Sequence, residues 1–266
     1  MKIGIIGFGA IGFDVAKKLD SQSNIFNLIG INSKTEEKII KKTQKFNNIP
    51  KIYDLDKLCR ISDIVIDCAP KNAFKTIVEK CLKYKTKLIT VSGAGILENL
   101  ELVEMAKKNS TQFFLASGAI IGLDGLNAVS QGEVSYVKMI TKKPPNALFN
   151  AKFVLENNLN LKNLKKPKLI FSGTAFEGAK AFPANVNVAA AVGLAGIGAK
   201  KTKLEIWADP NLTKNTHTII VESDSSNFKI QLENVQSKEN PGTGKITALS
   251  VVACLKGILS SLKIGT

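Results

Sequence analysis

The feature that most constrains this chain is a glycine-rich loop directly after its first apolar segment. Lys2–Ile6 has the continuous apolar character of a buried strand, and residues 7–12 follow it as a GxGxxG motif. In this motif the first glycine permits a tight turn, the second leaves room for a phosphate, and the third lets the next helix pack closely on the strand. The free N–H groups at the start of that helix bind phosphate. The sequence therefore predicts a dinucleotide-binding loop formed by Gly7, Gly9, Ala10, Ile11 and Gly12.

Strand and helix segments alternate from this loop to about residue 118. Further strands are predicted at Leu28–Ile31, Asp63–Cys68, Lys87–Val91 and Phe113–Ala116, and helices at Ala10–Leu19, Glu36–Phe46, Phe74–Tyr84 and in the amphipathic stretch that begins near Leu97. Continuous apolar strands joined by helices imply parallel pairing with helices on both faces, because right-handed crossovers place them there. We expect an α/β fold with a doubly wound, Rossmann-type parallel sheet.

The second half of the chain has a different pattern. Several of its predicted strands alternate apolar and polar residues, as half-exposed antiparallel strands do: Val134–Thr141, Leu169–Ser172, Lys203–Ala208, His217–Glu222 and Phe228–Asn234. The apolar run Val186–Ile197 fits a buried helix, and Lys245–Lys263 fits a terminal helix that returns to the first domain. We expect a Rossmann domain over residues 1–118 with 240–266, and an α+β domain with a mainly antiparallel sheet over 119–239.

The residues after the second predicted strand bear on the type of dinucleotide. An NAD site usually has a carboxylate about twenty positions after the glycine loop, which binds the ribose hydroxyls. Here Asn32, Ser33 and Lys34 stand in that region, so no carboxylate repels a 2′-phosphate and NADP is expected to be accepted. In the other interpretation Asn32 binds the ribose as a neutral acceptor and Lys34 is only solvated. Ala69 and Pro70, at the carboxyl end of the third predicted strand, are expected next to the nicotinamide ribose.

The net charge of +15 does not indicate a nucleic-acid partner. Arg60 is the only arginine, the lysines are spread along the whole chain, and there are only three tyrosines and one tryptophan. Arginine forks and aromatic stacking platforms are the usual means of nucleic-acid recognition. We therefore expect solvated lysine surfaces and no nucleic-acid binding.

Membrane and metal-binding classes are also disfavoured. No apolar run approaches the roughly 20 residues that cross a bilayer, and the N-terminal segment lacks the layout of a signal peptide. We expect a soluble, cytoplasmic protein without a membrane partner. The four cysteines include no CxxC pair and the chain has one histidine, so no metal site is expected.

The single histidine, His217, is the candidate acid–base group. Dehydrogenation of an alcohol or an amine needs a proton acceptor whose pKa lies near the working pH, and histidine is the usual choice. No serine nucleophile elbow, HExxH motif or Walker lysine is present, which disfavours hydrolases and kinases.

Four blocks of the chain together resemble the L-aspartate dehydrogenase family. They are SGAIIGLDG at Ser117–Gly125, TKKPP at Thr141–Pro145, FPANVNVA at Phe182–Ala189, and the segment from Ala208-Asp209-Pro210 to Asn215-Thr216-His217. They occur in order over nearly the whole chain, and the SGAIIGLDG and FPANVNVA blocks are far more specific than the glycine loop.

The resemblance implies an activity and roles for three residues. The activity is NAD(P)-dependent oxidative deamination of L-aspartate to iminoaspartate or oxaloacetate and ammonia. The resemblance also implies a link to NAD biosynthesis. The catalytic histidine of the family falls on His217, and its further cofactor contacts fall on Asn187 and on the backbone at Ile121. The resemblance also implies a homodimer.

An aspartate substrate adds a chemical requirement, because its two carboxylates need cationic or N–H partners. The candidates are Ser117, Lys142, Lys143 and the N-terminus of the helix at Asn187.

Two other readings stay open at this point. One is a related two-domain reductase, similar to homoserine dehydrogenase or dihydrodipicolinate reductase, against which the SGAIIGLDG and FPANVNVA blocks argue. The other is a dinucleotide-sensing module without catalysis that contacts nucleic acid through its lysines; it predicts salt-sensitive DNA binding and no turnover of aspartate.

Overall fold

The computed structural model describes residues 1–182, 187–237 and 244–265, and the chain divides into two compact units. The first unit consists of Met1–Gly118 and Thr247–Lys263, and the second of Ala119–Ile246 with the residues from Ile264 onward. The chain thus returns to the first unit at Thr247, later than the expected residue 240. Just before that point, the backbone N–H of Lys245 donates to the carbonyl of Val235 at 2.8 Å, a contact within the second unit.

The first unit contains a parallel sheet with helices between its strands. The strands are β1 (Lys2–Ile6), β2 (Asn27–Asn32), β3 (Lys51–Ile52), β4 (Ile64–Asp67), β5 (Lys87–Thr90) and β6 (Phe113–Leu115). The helices are α1 (Ala10–Asp20), α2 (Glu36–Thr43), α3 (Leu55–Ile61), α4 (Phe74–Tyr84), α5 (Gly93–Glu98) and α6 (Leu100–Lys108). Within the described residues the strand order is β3-β2-β1-β4-β5-β6, with every pair parallel. This is the doubly wound order, and it confirms the predicted fold class of this half.

The core of the first unit joins the sheet to the last helix of the chain. Ile5 of β1 and Ile66 of β4 are fully buried, as expected for strands covered on both faces. The terminal helix, Ile246–Leu259, contributes Val251 and Leu255 to the same apolar cluster. Its apolar stripe therefore stabilises the nucleotide-binding half by burial.

The structure differs from the sequence prediction in several places of this unit, and one of them is the short strand β3, which was not predicted. The single helix expected after residue 97 is two helices, α5 and α6, because the side-chain amide of Asn99 donates to the carbonyl of Gly95 at 2.9 Å and interrupts the backbone pattern. The short helix α3 was not predicted. It begins at an N-cap, Asp54, whose carboxylate accepts from the N–H of Lys57 at 2.7 Å.

The second unit is built on a mixed, mostly antiparallel sheet. Its strands are β7 (Val134–Lys143), β8 (Lys168–Thr174), β9 (Lys203–Ala208), β10 (Asn215–Ser223) and β11 (Phe228–Asn234), and its helices are α7 (Leu123–Val129), α8 (Lys152–Glu156), α9 (Ala175–Ala181) and α10 (Asn187–Ala195). In the described ranges the order is β11-β10-β7-β9-β8, and only β7 and β9 are parallel. The predicted second sheet is confirmed.

The apolar helix expected over Val186–Ile197 is α10. Ala190 and Val192 are fully buried in it, while Val186 lies outside the described residues. Of the helices that the structure describes, none is long and apolar enough to cross a membrane.

Candidate functional site

The glycine loop has two positions at which packing requires glycine and one that is open. Gly7 has a φ of +88°, and a Cβ on it would lie 2.6 Å from the backbone nitrogen of Ala69. A Cβ on Gly12 would lie 2.0 Å from the carbonyl oxygen of Gly7, so this glycine lets α1 approach the turn. A Cβ on Gly9 would meet no atom within 4 Å, and Gly9 is exposed at the N-cap of α1. The open position at a helix N-terminus fits a phosphate group.

The other loop residues predicted to bind the dinucleotide surround this turn. Ala10 and Ile11 are the first two residues of α1, and both are half-buried. Asn32 ends β2, where its carbonyl accepts from the N–H of Gly7 at 2.8 Å. Its side-chain amide donates to the carbonyl of Tyr53 at 2.8 Å, which fixes the side chain and leaves Oδ1 as an acceptor.

Ser33 and Lys34 follow Asn32 in the link to α2. Ser33 is half-buried and Lys34 is exposed. They place a hydroxyl and an ammonium group near the end of β2, and residues 32–34 contain no carboxylate.

Sequence reasoning missed Asp67, which organises the loops after β4 and β5. One carboxylate oxygen of Asp67 accepts from the N–H of Ala69 at 2.9 Å, and the other accepts from the hydroxyl of Thr90 at 2.8 Å. The Thr90 oxygen in turn accepts from the N–H of Ser92 at 2.9 Å. Asp67 therefore holds Ala69, one of the predicted nicotinamide-ribose contacts, and Pro70 follows as an exposed residue.

The environment of Asp67 changes its acidity. Its exposed fraction is 1%, and this burial raises the pKa of the carboxyl from 3.8 to about 6, against the opposing effect of the hydrogen bonds from Ala69 and Thr90. A carboxyl residue at the end of an otherwise apolar strand was the sequence signal that could have identified it.

In the second unit, His217 belongs to strand β10, which lies between β7 and β11 in the sheet. It pairs with Thr141 on β7 and with Leu232 on β11, and its ring nitrogen Nδ1 is 3.1 Å from the hydroxyl oxygen of Thr141. The exposed fraction of His217 is 3%. The histidine is therefore held by a buried polar contact to a neighbouring strand.

The structure separates the two candidate lysines. Along β7, Thr141 and Lys143 are buried on the face that His217 shares, whereas Lys142 points to the opposite face and is half-buried. Burial, followed by the positive charge of Lys143, lowers the pKa of His217 from 6.5 to about 3. Burial likewise lowers the pKa of Lys143 from 10.5 to about 8. This pair can supply a neutral imidazole next to a cation.

Further polar groups are buried at the same end of the sheet. Asp209 follows β9, and its N–H donates to the carbonyl of Lys143 at 2.8 Å. Asn215 begins β10, and its buried Oδ1 has no hydrogen-bond partner among the described residues. A buried acceptor without a partner is costly unless a ligand or water completes it.

The remaining predicted contacts are placed as follows. Ser117 is half-buried in the last stretch of the first unit, and Ile121 is 42% exposed in the second. Asn187 is exposed and begins α10, while the preceding residues 183–186 of the FPANVNVA block lie outside the described residues. All four cysteines are free, and the described ranges contain no group of three or more His, Cys, Asp or Glu residues that could hold a metal ion.

Family models match both halves of the chain. Residues 7–116 match the model described as "Homoserine dehydrogenase, NAD binding domain". Residues 124–258 match the model described as "Aspartate dehydrogenase, C-terminal". The two matches meet close to the boundary between the two structural units.

Whole-chain comparisons give similar results. An L-aspartate dehydrogenase of Bradyrhizobium diazoefficiens is 41% identical over 266 residues, covering 100% of this chain and 94% of the relative. An L-aspartate dehydrogenase of Methanosarcina mazei is 38% identical over 271 residues, covering 100% of both chains. The crystal structure of an aspartate dehydrogenase from Thermotoga maritima superposes with a TM-score of 0.73 at 26% identity, covering 100% of this chain and 99% of that chain.

Proposed function

Because this chain belongs to the L-aspartate dehydrogenase family, we propose that it catalyses the NAD(P)-dependent oxidative deamination of L-aspartate. The products are iminoaspartate, or oxaloacetate after hydrolysis, and ammonia. The observation that carries the proposal is the buried pair of His217 and Lys143 on one face of the second sheet. An acid–base group beside a cation is what the oxidation of an anionic amino acid requires.

The dinucleotide, when bound, supplies the hydride acceptor for Cα of the substrate. The open position at Gly9 and the N-terminus of α1 hold its phosphates. Asn32, with Oδ1 left as an acceptor, binds the adenosine ribose, while Ser33 and Lys34 accept a 2′-phosphate and make NADP usable. Ala69 and Pro70 are the remaining cofactor contacts proposed in the first unit, and Ile121 and Asn187 stay candidates from the resemblance alone.

His217 handles the protons of the reaction. The α-ammonium group of aspartate must lose a proton before hydride leaves Cα, and a neutral imidazole accepts it. In the protein without substrate, burial and Lys143 keep the pKa of His217 low, so that the imidazole is neutral. A bound dicarboxylate offsets the charge of Lys143 and raises this pKa towards the range of an effective base. Once His217 has released that proton to solvent, its neutral imidazole accepts a proton from the water molecule that attacks the imine carbon, and ammonia leaves.

Lys143 binds a substrate carboxylate. It is the lysine of the TKKPP block that shares the buried face with His217, whereas Lys142 faces away. The buried Oδ1 of Asn215 accepts a hydrogen bond from the α-amino group of the same ligand. Ser117 and the helix N-terminus at Asn187 remain candidate partners of the second carboxylate.

A homodimer is proposed from the resemblance and from the other face of the second sheet. That face carries the apolar residues Ile140, Trp207 and Ile220, which are all only half-buried. A second copy covering this face would bury them, and light scattering after size-exclusion chromatography tests the stoichiometry. A cytoplasmic location and a supply of iminoaspartate to NAD biosynthesis stay predictions from the resemblance.

The test is a dehydrogenase assay with a panel of amino and hydroxy acids, with NAD and NADP in parallel. L-aspartate is expected to give reduced cofactor, and oxaloacetate with ammonia to consume it. His217→Asn is expected to lose most of the turnover while its affinity for reduced dinucleotide, measured by fluorescence, stays that of the wild type. Absence of reaction in both directions with the wild-type protein would remove the assignment, and a fully active His217→Asn variant would remove only the role of the histidine.

A further inference from the structure

Thr141 is the polar partner of His217 inside the sheet. The two residues stand directly opposite each other on β7 and β10, and Oγ1 of Thr141 is 3.1 Å from Nδ1 of the imidazole. Both side chains are buried, with exposed fractions of 5% and 3%. On its other side His217 faces the apolar Leu232 of β11. The contact therefore occurs where an unpaired polar nitrogen would be costly.

The two nitrogens of the imidazole cannot exchange roles freely in this site. If Nε2 is to accept a proton, it must carry the lone pair, and Nδ1 must carry the hydrogen. After proton uptake both nitrogens carry hydrogen. In both states Nδ1–H needs an acceptor, and a hydroxyl oxygen can accept. In the other tautomer the hydroxyl donates to Nδ1, and Nε2 already bears a hydrogen and cannot take a proton.

We propose that Thr141 is a positioning residue whose hydroxyl oxygen accepts the Nδ1–H of His217 and thereby fixes Nε2 as the proton acceptor. Thr141 acts through the histidine and makes no contact with the reacting atoms. The catalytic part of this inference rests on the proposed function, whereas the tautomer itself does not.

The charges around the ring explain why a neutral acceptor suits this position. Lys143 of β7 is the cation whose charge acts on His217, and it disfavours a second positive charge nearby. Asp209, after β9, is the carboxylate buried at this end of the sheet, and its Oδ1 accepts from the N–H of Asn211 at 3.0 Å. A carboxylate in place of Thr141 would hold the imidazole protonated. A hydroxyl orients the ring and leaves it neutral until the substrate is bound.

The tautomer can be measured directly because the chain contains one histidine. Nitrogen-15 labelling of histidine gives one pair of ring resonances, which report separately whether Nδ1 and Nε2 carry hydrogen. The wild-type protein is expected to have hydrogen on Nδ1 and a lone pair on Nε2 near neutral pH. Thr141→Ser should keep this state, and Thr141→Val should lose it. Thr218→Val is the matched control, since Thr218 neighbours His217 on β10 but points to the opposite, half-buried face.

Kinetics test the consequence for the reaction. Thr141→Val is expected to lower kcat by roughly tenfold to a hundredfold, because a buried Nδ1–H loses its acceptor, with the KM for L-aspartate changing much less. The acidic limb of its pH–rate profile should move to lower pH, since the imidazolium is less stabilised. Thr141→Ser should restore both parameters, and Thr218→Val should retain those of the wild type.

The outcomes separate this inference from the proposed function. A wild-type ring with hydrogen on Nε2, or a Thr141→Val variant with an unchanged tautomer, kcat and acidic limb, overturns the role of Thr141. A folded Thr141→Val variant that is slow but has the acidic limb of the wild type points to a packing defect and also overturns it. A wild-type protein that does not oxidise L-aspartate contradicts the proposed function, and the resonances still decide the tautomer.

Discussion

The buried carboxyl group of Asp67 makes the stability of the first unit depend on pH in a direction opposite to that of most carboxylates. Burial raises its pKa from 3.8 to about 6, so the folded chain prefers the protonated form. The stabilising contribution of that form is complete below about pH 4 and is lost as the pH rises through about 6. A difference of about two pKa units corresponds to about 3 kcal/mol.

The substitution Asp67→Asn isolates this contribution. Asparagine has the same shape and does not ionise, and its carbonyl can still accept from the N–H of Ala69. Its amide group would face the Thr90 hydroxyl, an exchange that costs about 1 kcal/mol at any pH. The variant is therefore expected to be about 1 kcal/mol less stable than the wild type near pH 4, and about 2 kcal/mol more stable above about pH 7.5.

Urea unfolding at a series of pH values measures the difference in unfolding free energy between variant and wild type. Far-ultraviolet circular dichroism is the signal of choice, because the single tryptophan, Trp207, belongs to the second unit. Asp56→Asn is the control. A hydrogen bond from Lys80 lowers the pKa of Asp56 to about 2, so the difference in unfolding free energy between this variant and the wild type should not change between about pH 4 and pH 7.5. An Asp67→Asn difference that is equally flat, or that falls with rising pH, would refute the reasoning.

Three further predictions concern the glycine loop, Lys143 and Lys34. Gly12→Ala is expected to lower the unfolding free energy, measured in urea titrations, by about 1–3 kcal/mol or more, since its Cβ would lie 2.0 Å from the carbonyl oxygen of Gly7. Gly9→Ala should leave the unfolding free energy unchanged. It should weaken dinucleotide binding at least about tenfold in fluorescence titrations. Lys143→Met should raise the KM for L-aspartate at least about thirtyfold, and Lys142→Met should raise it much less. At pH values above about 8 the KM of the wild type should also increase, because the buried ammonium group of Lys143 loses its proton there. Lys34→Ala should weaken NADP binding by about twofold to fivefold and leave NAD binding unchanged, as expected for an exposed contact to a phosphate; an equal loss for both dinucleotides would contradict the assigned role.

The first half of the fold could be predicted well because its strands are buried on both faces. Such strands are continuous apolar runs, and β1 is observed with the predicted bounds, Lys2–Ile6. What the sequence did not reveal depends on single side chains that bond to nearby backbone, as Asn99 and Asp54 do. Helix α9 was not predicted, although its first turn carries a readable sequence signal. Thr174 and Glu177 form a capping box, in which each side chain accepts from the backbone of the other.

The geometry of the glycine loop could also be predicted from the sequence, because the spacing of the glycines indicates the local role of each. The partners of Asp67 could not: a carboxyl residue at the end of an apolar strand is visible in the sequence, but Thr90 is far away in sequence and lies on the neighbouring strand β5. Parallel pairing aligns Asp67 with Thr90, and only that register shows that the carboxylate is buried and bonded. Long-range pairs of this kind are visible only after the sheet order is known.

The choice between Lys142 and Lys143 shows how a shift of one residue decides a chemical assignment. Both lysines are part of the same TKKPP block, and composition alone cannot distinguish them. Thr141, Lys142 and Lys143 form the end of strand β7, so successive side chains point to opposite faces of the sheet. The antiparallel register of β7 with β10 places His217 opposite Thr141. Lys143 is two residues from Thr141, so it must share the face of the histidine, whereas Lys142 must face the other side. The proposed substrate-binding role of Lys143 therefore depends on the register of β7 and β10, and any change that shifts this register by one residue would exchange the two lysines.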